Sequence, residues 1–136
     1  MRVRAPQADY WLPFLPDGYF EVIYPSGDVQ ACLVEVDMGT LTLRRFARKV
    51  QAFELALDDG VFRRHFKREE FEVLVLTQSR RRAEALRHVA RRVVESDRHG
   101  DYYLTTVDDA LGSTTFATAT WWDLDGETCA GVLYAP

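Results

Sequence analysis

The feature that most restricts the fold is a short run that is apolar on both sides of an extended backbone. Ala31-Cys32-Leu33-Val34 lies at the centre of a strand-like stretch from Val29 to Asp37. A strand with no polar face belongs inside a sheet. Upstream, Gly18-Tyr19-Phe20-Glu21-Val22-Ile23-Tyr24 is dense in β-formers and ends at Pro25-Ser26-Gly27-Asp28, which has the composition of a turn. The two stretches read as an antiparallel hairpin. Leu43, Phe46, Val50, Phe53 and Leu57 then recur at spacings of 3 and 4, the stripe of a half-buried helix with Thr40 or Thr42 as its N-cap and Asp58-Asp59-Gly60 as its stop.

Beyond a mixed basic segment from Val61 to Glu70, Phe71–Thr77 is the strongest strand in the chain. A second helix is expected from about Arg80 to Glu95, with Ala83, Leu86, Val89, Ala90 and Val93 on its apolar side, and Tyr102–Thr106 is again extended. Asp108-Asp109-Ala110-Leu111 has room for a short helical turn, and a last strand is expected at Gly131–Tyr134. Strands alternating with helices define an α/β domain on a mixed sheet. The first 16 residues hold three of the five prolines together with Tyr10, Trp11 and Phe14, and read as an irregular arm packed on the domain.

At 136 residues the chain buries roughly two-thirds of its unfolded surface in one core, so residues 1–136 are expected to form a single domain. Cys32 and Cys129 stand far apart, which excludes a disulfide framework or a Cys-x-x-Cys metal pair and leaves two small buried side chains. Met1-Arg2-Val3-Arg4 is not followed by a signal-like apolar segment, and no apolar run approaches the ~20 residues of a membrane span. The expected location is the cytoplasm. Charge is uneven: Leu41–Arg98 carries 15 Lys/Arg against 9 Asp/Glu, whereas the rest carries 2 against 12, within a net charge of −4. A basic middle can face a polyanion while carboxylates gather elsewhere.

Three acids stand where acids are costly. Asp17 heads the first strand of the hairpin, and Glu35 and Asp37 interrupt the end of the second. Side chains alternate along a strand, so Glu35 and Asp37 share a face about 7 Å apart. Ordinary hairpin pairing brings Asp17 toward them. Two neighbouring carboxylates repel unless a cation lies between them or one is protonated. Three oxygen donors with a backbone carbonyl such as that of Val36 suit Mg²⁺ or Mn²⁺. Acids at strand ends also serve as turn formers and caps, and Asp37 is placed to cap the helix after Gly39.

Of 17 basic residues only Lys49 and Lys67 are lysine, so a retained lysine draws notice. Lys49 follows the acidic strand on the next helix, within reach of its end, where an ammonium stabilises charge on a phosphate or orients a water. A surface lysine on an amphipathic helix has the same spacing. Arg44, Arg45 and Arg48 lie nearby as candidate phosphate contacts. Arg80, Arg81 and Arg82 open the second helix, where side chains and free amides suit phosphates, although Arg80/Glu84 and Arg91/Glu95 also fit ordinary surface pairs. His65, His88 and His99 have no partner at metal or triad spacing.

Pro16-Asp17, then Glu35-Val36-Asp37 after a hairpin, then a helix bearing Lys49 and Phe53, resembles the PD-(D/E)XK, or restriction-endonuclease-like, nuclease superfamily. More narrowly, Pro-Asp-Gly-Tyr-Phe-Glu-Val, Leu-Val-Glu-Val-Asp-Met-Gly-Thr, Arg-Lys-Val-Gln-Ala-Phe and Phe-Glu-Val-Leu-Val-Leu-Thr-Gln-Ser-Arg-Arg-Arg are similar to the replication-relaxation family of plasmid and mobile-element proteins, over roughly Leu15 to Thr106. The resemblance implies a restriction-endonuclease-like mixed β-sheet flanked by α-helices, with Asp17 and Glu35 holding Mg²⁺ or Mn²⁺. The chain departs from the pattern where Asp37 replaces the usual lysine. Lys49 is placed to supply that ammonium, with Asp37 as a further metal ligand, or the departure marks a domain without hydrolysis. Only 16 residues precede Asp17, where related proteins commonly carry a winged-helix domain; the expectation is either a minimal or excised nuclease-like domain, or DNA targeting by a separate protein or domain.

The expected function is a metal-dependent DNA endonuclease or nickase linked to plasmid replication or mobilisation. Asp17, Glu35, Asp37 and Lys49 form its expected site, and the six arginines named above hold DNA. The alternative is a catalytically inactive DNA-binding or protein-interaction module. No membrane partner is expected, and a homodimer is compatible with either reading.

Overall fold

A computed structural model of the chain describes residues 2–4, 11–112 and 118–132. In chain order the elements are β1 (Arg2–Arg4), β2 (Trp11–Pro13), β3 (Gly18–Ile23), β4 (Val29–Asp37), α1 (Leu43–Asp58), α2 (Val61–Phe66), β5 (Glu72–Thr77), α3 (Arg80–Val93), a 3-10 segment (Ser96–Asp101), β6 (Tyr102–Thr106), α4 (Val107–Gly112), β7 (Thr120–Trp122) and β8 (Thr128–Ala130). Six strands form one mixed sheet in the order β3-β4-β5-β6-β7-β8, with β4, β5 and β6 parallel and the outer pairings antiparallel. The fold is mixed α/β.

Parallel neighbours require crossovers, and here α1 with α2, then α3, supply them. Ala31, Leu33, Val73, Val75, Tyr102 and Leu104 turn one face of the sheet toward Phe46, Val50 and Phe53 of α1 and Leu86, Val89 and Ala90 of α3. Each large side chain buried there contributes on the order of 2 kcal/mol. A smaller cluster of Cys32, Leu74, Trp121 and Val132 covers the opposite face, with Phe20, Leu76 and Tyr103 partly buried against it. The central strand is therefore apolar on both sides because it has a core on both sides. No helix among the described residues is long and apolar enough to cross a membrane.

Several elements differ from the sequence expectation, among them β7, where no strand was expected. The N-terminal arm contains a two-stranded hairpin, with Val3 opposite Leu12. Pro13 ends its second strand, where a missing N–H costs little, and Phe14 packs edge-on against Phe53 at 5.8 Å. The basic segment after Gly60 contains α2, which buries Phe62 between Phe66 and Phe71. The last described strand is Thr128–Ala130 rather than the expected Gly131–Tyr134, of which residues 133 and 134 lie outside the described residues. Cys32 is buried as expected, whereas Cys129 is only partly so.

Candidate active site

The hairpin register pairs Gly18 with Val34, so Asp17 falls opposite Glu35 at the open end of β3 and β4. Two reciprocal bonds close that end. The Asp17 N–H donates to Glu35 Oε1 at 3.2 Å, and the Val36 N–H donates to Asp17 Oδ2 at 2.9 Å. Glu35 points to the face covered by α1, whose Phe46, Val50 and Phe53 anchor the helix in the core. Thr42 caps this helix, its Oγ1 accepting the Arg45 N–H at 3.1 Å. That placement brings the Nζ of Lys49, beside Val50, to 2.7 Å from Glu35 Oε2 and 3.7 Å from Asp17 Oδ1.

The two carboxylates differ in surroundings. The Glu35 side chain is 4% exposed and that of Asp17 45%. Burial pushes the Glu35 carboxyl up to about 7, with the neighbouring Asp17 adding to the rise and the bond from Lys49 opposing it. Glu35 thus sits near the border between protonated and ionised at neutral pH, and a further positive charge would favour the ionised form.

Asp37 shares the strand face with Glu35 but has other partners. Its Oδ2 accepts from Thr77 Oγ1 at 2.7 Å and from Arg82 Nε at 2.9 Å, and its Oδ1 accepts from Arg82 Nη2 at 3.1 Å. Arg82 Nη2 also donates to the Leu41 carbonyl oxygen. Burial works against the charged form of Asp37, yet the bonds from Arg82 and Thr77 outweigh it and hold the carboxyl below its ordinary range. The chain leaves this clamp through Gly39, at φ +82°, where a Cβ would lie 2.9 Å from Gln78 Oε1. Only glycine fits that turn without strain. Thus Asp17, Glu35 and Lys49 meet in one site, and Asp37 is held in a separate ionic network beside it rather than with the other two acids. Thr42, not Asp37, caps α1.

The six arginines divide as well. Arg44, Arg45 and Arg48 are exposed on α1, the helix that carries Lys49, and their side chains take part in none of the hydrogen bonds or ion pairs found among the described residues. On α3, Arg82 is committed to Asp37, Arg81 is exposed, and Arg80 lies over the Trp122 ring at 5.0 Å. Two participants were not singled out from sequence. Thr77 is a polar residue closing an apolar strand, and parallel pairing sets it beside Asp37. Trp122 adjoins Trp121, and adjacent strand residues face opposite ways, so one of the two had to leave the core cluster that holds Trp121.

No family model matches the sequence, and no curated protein or solved structure matches it either. Among the described residues no group of three or more His, Cys, Asp or Glu side chains is placed to hold a metal ion. The donor set at the site is two carboxylates, Asp17 and Glu35. That set fits Mg²⁺, which keeps several waters and is commonly held by one or two carboxylates together with substrate phosphate.

Proposed function

We propose that this chain is a Mg²⁺- or Mn²⁺-dependent DNA endonuclease or nickase with a restriction-endonuclease-like core, acting in plasmid replication or mobilisation. The observation that carries the reading is the meeting of Asp17, Glu35 and Lys49, from the hairpin mouth, a central strand and the following helix, at distances of 2.7 and 3.7 Å from the ammonium. Asp17 and Glu35 would hold the cation. When bound, it would polarise a phosphate oxygen and lower the pKa of a coordinated water. Lys49 contributes a fixed ammonium beside both carboxylates, placed to stabilise negative charge building on a phosphate. Burial of Glu35 limits water around that carboxylate, which strengthens its interaction with Lys49. Arg44, Arg45 and Arg48, which form no ion pair among the described residues, would supply positive charge on the same helix for the DNA backbone. In this reading Asp37 pins the strand end to α3 through Arg82 instead of joining the metal shell.

One observation favours the alternative of a binding or interaction module without hydrolysis: Lys49 already pairs with Glu35 at 2.7 Å, and among the described residues no third acid joins the site. The two readings part on conversion of supercoiled plasmid to nicked or linear form with Mg²⁺ or Mn²⁺, set against EDTA and the Glu35→Ala and Lys49→Ala proteins. The nuclease reading expects metal-dependent cleavage lost in both variants. Folded wild-type protein that neither cleaves nor binds Mn²⁺ in calorimetry rejects it in favour of the module.

A further inference from the structure

The cross-strand register links the site to a second place on the same face. Glu35 pairs with Val75, Val75 with Leu104, and Leu104 with Trp122. These four residues form one row across β4, β5, β6 and β7. Three strand spacings put Trp122 about 14 Å from Glu35 in a straight line; Val75 and Leu104 between them are buried, so a single strand joining the two places follows a longer path over the surface.

The first turn of α3 stands between the two ends of this row. Residues two apart on a helix project about 200° from one another. Arg82 accordingly goes toward β4, to Asp37, and Arg80 goes toward β7, over Trp122 at 5.0 Å, while Arg81 is exposed. The Arg80 guanidinium makes no hydrogen bond or ion pair among the described residues; its contact is the indole face. It also forms the shared wall of two open cavities. One, of about 240 Å³, is lined by Arg80, Ala83, Glu84 and Trp122; the other, of about 290 Å³, by Arg80, Asp109, Gly112 and Thr120. Glu84 is already paired with Arg87 at 2.9 Å, so it does not neutralise Arg80.

A planar cation lying over an indole, with no ion pair among the described residues and with a cavity on either side of it, offers a surface for stacking and a charge for phosphate at one point. Unpaired nucleobases are recognised in this way, by aromatic side chains and by guanidinium planes. Bases within a duplex do not present those faces. We propose that the Arg80–Trp122 shelf is a subsite for an unpaired base of single-stranded DNA, holding the strand that leads away from the Asp17–Glu35–Lys49 site. The choice of DNA as ligand rests on the nuclease reading; the shelf adds that the substrate is single-stranded or locally unpaired.

The test measures binding of a short fluorescein-labelled oligothymidylate, and of a duplex of the same length, to the full chain in EDTA, where nothing is cleaved. Loss of one stacking partner is expected to weaken single-strand binding by about tenfold or more in Trp122→Ala, with a comparable loss in Arg80→Ala. Duplex binding should change little, and Trp122→Phe should keep most of the affinity, which separates stacking from misfolding. Single-strand affinity unchanged in folded Trp122→Ala and Arg80→Ala, or lost equally for duplex and single strand, overturns the proposal. Plasmid nicking and Mn²⁺ calorimetry on the same proteins separate the two claims. Nicking by wild type without any Trp122 effect defeats the shelf alone. A Trp122-dependent preference for single strands in a protein that neither binds Mn²⁺ nor nicks supports the shelf and rejects the nuclease.

Discussion

Replacing Arg82 by alanine should destabilise this protein more than most single substitutions, because it strands a charge. The Asp37 side chain is 2% exposed and takes two bonds from Arg82, at 2.9 and 3.1 Å, against one from Thr77 at 2.7 Å. With the guanidinium gone, the carboxylate keeps Thr77 and the backbone of Gly39 but has no countercharge. Removing one member of a buried pair costs about 3–5 kcal/mol, a large share of the roughly 5–15 kcal/mol that holds a domain together. Urea unfolding followed by tryptophan fluorescence should show the midpoint falling by about 2 M, given a slope of roughly 2 kcal/mol per molar. Asp37→Ala combined with Arg82→Ala should cost less than the sum of the two single changes, since no charge is left unpaired. The pH dependence provides a second check. In the wild type the lowered Asp37 pKa contributes stability above the unfolded value that is lost as pH falls through the folded one. In Arg82→Ala burial remains without its compensation, so the deficit should shrink as pH falls and Asp37 takes up a proton. A loss below about 1 kcal/mol at neutral pH, with no dependence on pH, would refute the clamp as described; so small an effect is typical of exposed pairs.

Three other outcomes are expected. Glu35, raised by burial to about 7 from 4.5, contributes stability that is fully present below 4.5 and is lost as pH rises through about 7. Glu35→Gln should flatten that part of the metal-free stability profile, and under the proposed metal-site reading the wild type's calorimetric Mn²⁺ affinity should fall up to about tenfold per pH unit below 7, because a proton must leave first. Burial of His99 opposes its charge, but the Asp125 carboxylate and the Val94 carbonyl, each 2.9 Å from a ring nitrogen, outweigh burial and raise its pKa. Its stabilisation is present below 6.5 and lost as pH rises through the folded value, so thermal melts of His99→Gln should lack that decline; an unchanged slope would assign the decline elsewhere. Lys67 closes α2 at φ +61°, in the left-handed region that favours glycine, and Lys67→Gly should raise stability by up to about 1 kcal/mol in urea titrations.

The alternation of strands and helices was legible because each long element carries its own period. Phe46, Val50 and Phe53 mark one face of α1, and Val29–Asp37 marks β4, without help from distant residues. The meeting of Asp17 with Glu35 was legible too, since a short hairpin has few registers. Asp37 was not: its spacing from Glu35 gives the face it shares, but its partners Thr77 and Arg82 come from two later elements, 40 and 45 residues away. For the same reason His99 carried no signal, as Asp125 lies 26 residues on. α2 escaped because it is six residues long and starts from Gly60 without a side-chain cap, so it forms by packing Phe62 and not by local preference. The β1–β2 pair lay in proline-bearing sequence whose extended segments are three residues each, too short to show alternation.

The arrangement also orders events during folding. The contacts that join Asp17, Glu35 and Lys49 span 18 and 14 residues, whereas those that hold Asp37 span 40 and 45. Short loops close at lower entropic cost, so docking of the hairpin on α1 can assemble the three-residue site before β5 pairs with β4. The clamp on Asp37 is then expected to close late. Substitutions at Thr77 and Arg82 are expected to speed unfolding and leave the refolding rate nearly unchanged, while those that disturb the β3–β4 turn slow refolding.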